Sequence, residues 1–418
     1  MTALRRAQAV TSIRGFAAML FSIAASAVLK EAGVSFQVIS LGNGVMYLIL
    51  AAAEIPTGAW ADIFGAKKAS IIGAVLQTAA MVLFGLGTLS TPVIILAYAL
   101  YGLGASLVNR AASSLMYETA REEGRDTFNN NRYFSMTEKS AVATYIVASF
   151  AVGFLSDWMG RKSLLVGGVF FVASALFIAF RYRELQKEHT TVCLKTEFFS
   201  RVALGYSVIR KSPKLLTLLP IRVLHQVEAV VGVMWFPWIQ ELGGSAKWFS
   251  VMATGSYLFR YAVNHQLAKR PKPDCYYPRI TAALALMGVG SCICVMAAMK
   301  SNMWLAFFGV WIMAGARGAF LPASQAIQHE EFPDLVRTTG LSVMNFLVQL
   351  MVAVGFFISS TIIDRLSVQS GWLIAAGCFW LATCLAAYLQ EMRKGERRAT
   401  EDILSVVNFT MIDRAAKH

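Results

Sequence analysis

Runs of about twenty apolar residues recur along the whole chain and constrain its fold more than any other feature. A helix that crosses the hydrocarbon core of a bilayer needs about twenty such residues, because it rises about 1.5 Å per residue. The chain of 418 residues is 56% hydrophobic and only 15% charged. A soluble protein of this length could not bury so much apolar surface. The sequence therefore predicts a membrane protein with many spanning helices.

Twelve spans are predicted, and a polar gap divides them into two groups of six. The predicted spans are 9–30, 36–57, 68–89, 92–118, 133–155, 163–181, 214–240, 247–268, 278–299, 302–328, 339–363 and 371–390. The seventh and eighth are the most polar, since they carry Arg222, His225, Glu228, Arg260 and His265. We predict an all-α protein with an N-terminal half (1–181), a linker (182–213), a C-terminal half (214–391) and a polar tail (392–418). An amphipathic helix over 198–209 is expected to lie on the membrane surface.

Charges between the spans predict the orientation of the chain. The formal net charge is +14, and the lysines and arginines concentrate in alternate loops, the linker and both termini. The positive-inside rule places these segments in the cytoplasm. The basic character therefore indicates membrane anchoring, and no nucleic-acid binding is expected. The six cysteines have no metal-ligand spacing, so neither a disulfide, nor a metal site, nor a cofactor is expected.

Two short segments share one spacing of glycine, aspartate, glycine and basic residues. They are GAWADIFGAKK (58–68), after the second span, and GFLSDWMGRK (153–162), after the fifth. Their aspartates, Asp62 and Asp157, lie 95 residues apart. Related segments follow the eighth and eleventh spans. The pattern predicts a three-helix unit that occurs four times and is inverted within each half.

These segments resemble the cytoplasmic loop signature of the major facilitator superfamily, and the resemblance covers essentially the whole chain. The matching residues are Gly58, Asp62, Gly65, Lys67 and Lys68, with Gly153, Asp157, Gly160 and Arg161 in the second copy, whereas Ile63 and Ala66 replace arginines of the signature. Glu54, just before the motif, is expected to be a structural tie at the gate. EIPTG (54–58) and FPDLVRTTGLS (332–342) also resemble a bacterial drug- and metabolite-efflux branch. The resemblance implies a transporter of the bacterial cytoplasmic (inner) membrane that works by alternating access. In it these motif residues form gate contacts that break during switching, although a capped turn with a positive-inside anchor is the simpler interpretation.

Four arginines lie inside the predicted spans one, four, seven and ten, which in this superfamily line a central cavity. They are Arg14, Arg110, Arg222 and Arg317. A charge near the bilayer centre costs several kcal/mol unless it is paired or hydrated, and a guanidinium group suits a carboxylate or phosphate. We therefore predict a basic ring that binds an anionic substrate. The alternatives are that Arg14 and Arg222 extend to the membrane surface and that Arg110 pairs with Glu118 or Glu138.

Acidic and aromatic residues complete the predicted cavity. A carboxyl group in an apolar cavity can exchange a proton near neutral pH. Glu228 and Glu138 are the first candidates for such coupling, with Glu118 as a third, and an ion pair is the alternative for Glu118 and Glu138. The expected substrate-binding residues besides the arginines are Asn109, Gln226, Trp235, Tyr257, Gln325 and Asn345. Trp238 is assigned instead to the aromatic belt at the membrane surface.

The sequence favours a secondary active transporter over an enzyme, because it has no ATP-binding loop and no hydrolase motif. We predict export of a small anionic metabolite, siderophore or antibiotic, in exchange for protons. Proton-coupled uptake and organic-anion exchange are alternatives in the same class, and a transport-inactive membrane sensor is an alternative of another class. The fifth span, 137–153, lacks the proline-containing motif of many drug/proton exchangers. The expected partners are the lipid bilayer, the substrate and protons, for a monomeric protein.

Overall fold

The computed structural model describes residues 2–123, 130–183, 194–268, 276–332, 337–362 and 367–415. Within these ranges the side chains of residues 55–64, Arg110 and Glu138 are among those outside the description. The predictions for Gly58, Asp62, Arg110 and Glu138 therefore concern side-chain positions outside the described part. The described residues form helices and no strand, which confirms the all-α prediction.

The helices of the first half are joined by short connections. They are α1 (Ala3–Met19), α2 (Ala25–Glu31), α3 (Phe36–Phe64), α4 (Ala66–Leu86), α5 (Thr91–Glu123), α6 (Asn130–Met159) and α7 (Ser163–Arg181). A π-helical segment, Leu20–Ala24, joins α1 to α2. These two helices therefore form one rod, and the half contains six rods.

The second half follows a linker helix, α8 (Leu194–Lys211), which contains the segment 198–209. Its helices are α9 (Pro213–His225), α10 (Val227–Val231), α11 (Trp235–Glu241), α12 (Ala246–Ala268), α13 (Tyr276–Lys300), α14 (Met303–Glu331), α15 (Arg337–Ile362) and α16 (Val368–Ala415). The first three form one rod that is broken at Gln226 and tightened into a 3₁₀ turn at Gly232–Met234. The position of α8 on the membrane surface, and the limits of the two halves, stay predictions.

Nine stretches of the described chain are long and apolar enough to cross a membrane, and one of them, Lys139–Arg181, contains most of α6 and all of α7. The rods α9–α11 and α12 are not among the nine, because they carry several of the charged residues noted above. They nevertheless pack alongside the others, α9 against α16 and α12 against α6 and α14. The chain is therefore a multi-pass membrane protein with twelve transmembrane rods.

Glycines let two pairs of helices approach very closely at corresponding places in the two halves. A Cβ atom at Gly104 of α5 would lie 2.5 Å from the carbonyl oxygen of Gly73 in α4. In the second half, a Cβ atom at Gly309 of α14 would lie 2.8 Å from the carbonyl oxygen of Gly290 in α13. Backbones at this distance leave no room for a side chain, as at other small-residue contacts between membrane helices.

The two halves meet through α3 with α15 and through α6 with α12. Tyr47 of α3 stacks on Phe356 of α15 with ring centroids 5.5 Å apart. Ser40 of α3 donates a hydrogen bond to the carbonyl oxygen of Phe356 at 3.1 Å. Each pair consists of one helix from each half, so the space between the halves is framed by these two contacts.

We expect Gly104→Ala to lower the melting temperature of the purified protein in detergent by several degrees, because the new methyl group must displace the backbone of α4. Overpacking of this kind typically costs about 1–3 kcal/mol. The matched control is Gly377→Ala on the exposed face of α16, where a Cβ atom would meet nothing within 4 Å. Equal melting temperatures for the two variants would contradict the close α4–α5 approach.

Candidate functional site

A cavity of about 450 Å³ lies between the two halves. Its lining comes from both of them, and the charged residues of the lining that the structure describes are Glu228, Arg260 and Arg317 of the second half. The first half contributes aromatic, hydroxyl and apolar groups, including Phe21, Tyr47, Tyr98 and Tyr101. The volume falls within the range of small-molecule sites, which is about 300–1,000 Å³.

An ion pair joins two of the charged residues. The Nη1 atom of Arg317, on α14, lies 3.3 Å from the Oε2 atom of Glu228, on α10. The Glu228 side chain is almost fully buried, with 6% of its surface exposed, whereas the Arg317 side chain keeps 31% exposed. The arginine therefore has room to contact a molecule in the cavity while it holds the carboxylate. The sequence predicted a substrate ligand and a proton-coupling acid at these two positions, and the structure brings them together.

Arg260 is the third charged group, and it has no hydrogen-bond or ion-pair partner among the described residues. Its Nε atom is buried and unpartnered. Gly318 lets α14 approach α12 at this place, since a Cβ atom at Gly318 would lie 3.0 Å from the carbonyl oxygen of Arg260. Arg260 thus lies on the helix next to the one that carries Arg317. With one carboxylate and two guanidinium groups, the described part of the lining has a net charge of +1.

Arg260 is not among the site residues predicted from the sequence. In the sequence it appears only as one of the charges that make the eighth span polar. The available signal was the one used for the other four arginines, a charge inside a predicted span.

Of the four arginines predicted to form a ring, Arg317 lines the cavity, Arg14 and Arg222 do not, and the side chain of Arg110 lies outside the described part. Of the predicted site residues with described side chains, Arg317, Glu228, Trp235 and Tyr257 belong to the lining. Those outside it are Arg14, Arg222, Asn109, Gln226, Gln325, Asn345 and Glu118. The structure therefore brings together the predicted residues of α10–α12 and α14 at one cavity.

Arg14 and Arg222 each contact a neutral amide instead of facing the cavity. Arg14 donates to the Oδ1 atom of Asn109 at 3.1 Å, and Arg222 donates to the Oε1 atom of Gln328 at 2.9 Å. Both bonds connect the first rod of a half with its fourth rod. An amide oxygen satisfies a guanidinium donor without neutralising its charge, so both groups remain cationic.

The tryptophans of α11 lie inside the protein. Trp238 is 1% exposed and packs against Trp372, with ring centroids 5.3 Å apart. The assignment of Trp238 to the outer aromatic belt is therefore wrong, because its ring fills the core between α11 and α16. Trp235 lines the cavity, stacks on Trp372 at 6.0 Å and has a buried Nε1 donor without an acceptor.

The second copy of the loop motif connects the two halves. Asp157, near the end of α6, forms an ion pair with Lys247, near the start of α12, at 2.8 Å. Ser149 and Thr254 hydrogen-bond between the same two helices at 3.0 Å. Arg161 donates to the carbonyl oxygen of Gly87 at 2.8 Å within the first half. The two contacts between α6 and α12 join the halves on one side of the cavity, which we call the opposite side.

The glycines that end both motif copies share an unusual backbone conformation. Gly65 has φ +98° and Gly160 has φ +53°, and a residue with a side chain rarely adopts either value. They lie 95 residues apart, like the two aspartates. The first copy is described in less detail: Glu54 and Lys67 are partly buried, Lys68 is exposed, and Gly153 is buried in α6. The gating role of these residues stays a prediction.

Equivalent ion pairs brace each half on the other side, where the chain begins, which we call the terminal side. Arg6 of α1 pairs with Glu123 of α5. Lys214 and Glu331, each 208 residues further along, pair at 2.9 Å. The Arg6 guanidinium also lies over the ring of Tyr182. Burial raises the pKa of Tyr182 above its ordinary value, so this ring stays neutral.

The described residues form twelve rods in two halves, with a charged cavity between them and contacts that join the halves on one side, which is the arrangement of many secondary transporters. The sequence matches the Major Facilitator Superfamily over residues 9–273 and 276–410, and the chain belongs to that family. The family match does not distinguish one branch from another, so membership of the efflux branch stays a prediction. No curated protein matches the sequence.

Solved structures support the same fold. The crystal structure of the nucleoside transporter NupG matches with a TM-score of 0.76 and 11% identity, over 94% of this chain and 100% of that chain. The POT family transporter PepTSo matches with a TM-score of 0.72 and 11% identity, over 94% and 98%. A D-xylose-proton symporter matches with a TM-score of 0.70 and 13% identity, over 92% and 97%. At these identities the likeness concerns the fold alone.

We expect a disulfide between residues 149 and 254 to lock the opposite side, because their hydroxyl oxygens are already within hydrogen-bond distance. The variant carries Ser149→Cys and Thr254→Cys in a background without the six native cysteines. Oxidation should abolish transport in proteoliposomes, and a reducing agent should restore it. The two single-cysteine variants are the controls. Full transport by the oxidised double variant, with cross-linking verified by mass spectrometry, would show that this contact does not open during the cycle.

Proposed function

We propose that the protein is a secondary active transporter for a small organic anion, and that Arg260 binds the acidic group of the substrate. The observation that carries this proposal is a guanidinium group that faces the cavity without a partner among the described residues. A buried cation without a counter-charge is costly. A carboxylate or phosphate from the substrate would supply the missing charge and accept the free N–H donors.

The net charge of the lining supports an anion over a cation. With Glu228 ionised, the lining carries +1, which a single negative charge on the substrate would neutralise. A lipophilic cation would meet two arginines and only one carboxylate, which Arg317 already holds. Electrostatic complementarity of this kind mainly controls specificity.

We further propose that Glu228 couples transport to protons. Protonation of Glu228 removes the charge that holds Arg317, so the arginine becomes available to the anion. Proton binding would then favour anion binding, and by thermodynamic reciprocity anion binding would favour proton binding. The proton and the anion would therefore cross the membrane together, as they do in a symporter.

Export without a bound proton is the second candidate, and the positive lining favours it. An anion that leaves a cell with a negative interior gains about 2.3 kcal/mol per charge per 100 mV. The two candidates respond differently to gradients in proteoliposomes. A pH gradient should drive accumulation by a symporter, whereas a membrane potential alone should drive an anion exporter. In both, the terminal side would face the cytoplasm, and the contacts on the opposite side would hold the cavity closed toward the exterior.

We expect Arg260→Gln to weaken binding of an anionic ligand at least tenfold, because a charge-assisted hydrogen bond is worth about 1.5–3 kcal/mol. A thermal-shift screen of small organic anions and lipophilic cations first selects the ligand, and calorimetry then measures its affinity. The matched control is Arg181→Gln at the exposed end of α7. A preference of the wild-type protein for lipophilic cations would overturn the proposal, as would unchanged anion affinity in the Arg260 variant.

We expect Glu228→Gln to retain exchange of a labelled anion for the unlabelled anion but to lose accumulation driven by a pH gradient. Glutamine keeps the shape of the side chain and cannot be ionised. The control is Glu241→Gln at the exposed end of α11. Accumulation by the Glu228 variant at the wild-type level would rule out Glu228 as the coupling residue.

A further inference from the structure

We propose that the substrate is an aromatic acid, with its carboxylate at Arg260 and its ring in an open space beside Gly232 and Trp235. This inference rests on the proposed function and adds the class of substrate. It starts from the unequal composition of the cavity wall. Among the described side chains, the charged groups of the lining belong to the second half, and the first half contributes Phe21, Tyr47, Tyr98 and Tyr101.

One helical face of the seventh rod carries the open space. Glu228, Gly232 and Trp235 line the cavity at successive turns. Arg260, which would bind the acidic group, lines the same cavity from α12. Because Arg260 and Gly232 border one cavity of about 450 Å³, a small molecule whose acidic group lies next to a single ring can contact both.

Gly232 faces the cavity without a side chain. A Cβ atom at this position would meet no described atom within 4 Å. Its φ is not in the left-handed region, so the backbone does not require glycine. The absent side chain therefore enlarges the cavity at little cost to the fold.

Aromatic groups surround the cavity at several points. Trp235, Tyr47 and Tyr257 are partly exposed and belong to its lining. Rings of this kind prefer offset or edge-on contacts with another aromatic ring, which add to the gain from burial alone. The Nε1 atom of Trp235 is a buried donor without an acceptor, so a substrate with a hydrogen-bond acceptor on or next to its ring would satisfy it. An aliphatic acid of equal size has no aromatic ring, so it would not form these ring contacts.

The first test compares three probes on the purified wild-type chain by calorimetry. Benzoate has the ring and the charge, cyclohexanecarboxylate has the charge and a similar size, and benzyl alcohol has the ring alone. We expect benzoate to bind about fivefold or more tightly than cyclohexanecarboxylate, and benzyl alcohol not to bind measurably. Equal affinity for the two acids would overturn the inference and leave the proposed function standing. Binding of none of the acids, together with binding of a lipophilic cation, would overturn both.

The second test fills the space with Gly232→Leu. Benzoate affinity should fall at least tenfold while the melting temperature stays at the wild-type value. The matched control is Gly377→Leu, the same substitution at an open position on the exposed face of α16, which should bind benzoate like the wild-type protein. Unchanged benzoate binding by the Gly232 variant would overturn the placement of the ring. The comparison of probes on the wild-type chain stays decisive even if this variant folds poorly.

Discussion

The ion pair between Glu228 and Arg317 is the interaction on which the rest of the site depends. Both groups lie inside a membrane-spanning bundle, where an isolated charge costs several kcal/mol. Pairing removes most of that cost for the buried carboxylate and leaves the arginine partly exposed to the cavity. Removing one partner of a buried pair usually costs about 3–5 kcal/mol, because the other charge stays behind. The pair is therefore stable at rest and sensitive to any change in the charge of Glu228.

The twofold repeat explains why the two halves share a framework. Ion pairs at equivalent positions brace both halves on the terminal side, and glycine contacts join α4 to α5 and α13 to α14. Arg14 and Arg222 are also equivalent, and each donates to an amide on the fourth rod of its half. The position 207 residues after Arg110 carries Arg317, the partner of Glu228. Among the side chains that the structure describes, the charged groups of the cavity wall come from the second half.

Most of the fold could be predicted from the sequence, because apolar runs and repeated motifs are local signals. Arg317, Glu228, Trp235 and Tyr257 were also predicted, since a polar or aromatic residue on a cavity rod stands out in an apolar segment. The contacts of Arg14 and Arg222 could not be predicted, because their partners lie 95 and 106 residues away on another rod. The burial of Trp238 depends on Trp372 in the same way. Spacing in the sequence identifies the residues that share a helical face, but not the helix that packs against that face.

The exposed ion pair between Asp157 and Lys247 makes the closed side responsive to salt. Its side chains are 41% and 52% exposed, and exposed pairs contribute about 0–1 kcal/mol and weaken as ionic strength rises. Such a pair changes the ratio of the closed to the open conformation only by a few-fold. The stacked rings of Tyr47 and Phe356 are insensitive to salt and act between the same halves. A change in ionic strength on that side of the bilayer would therefore change how often the transporter opens there, but it would not prevent closure.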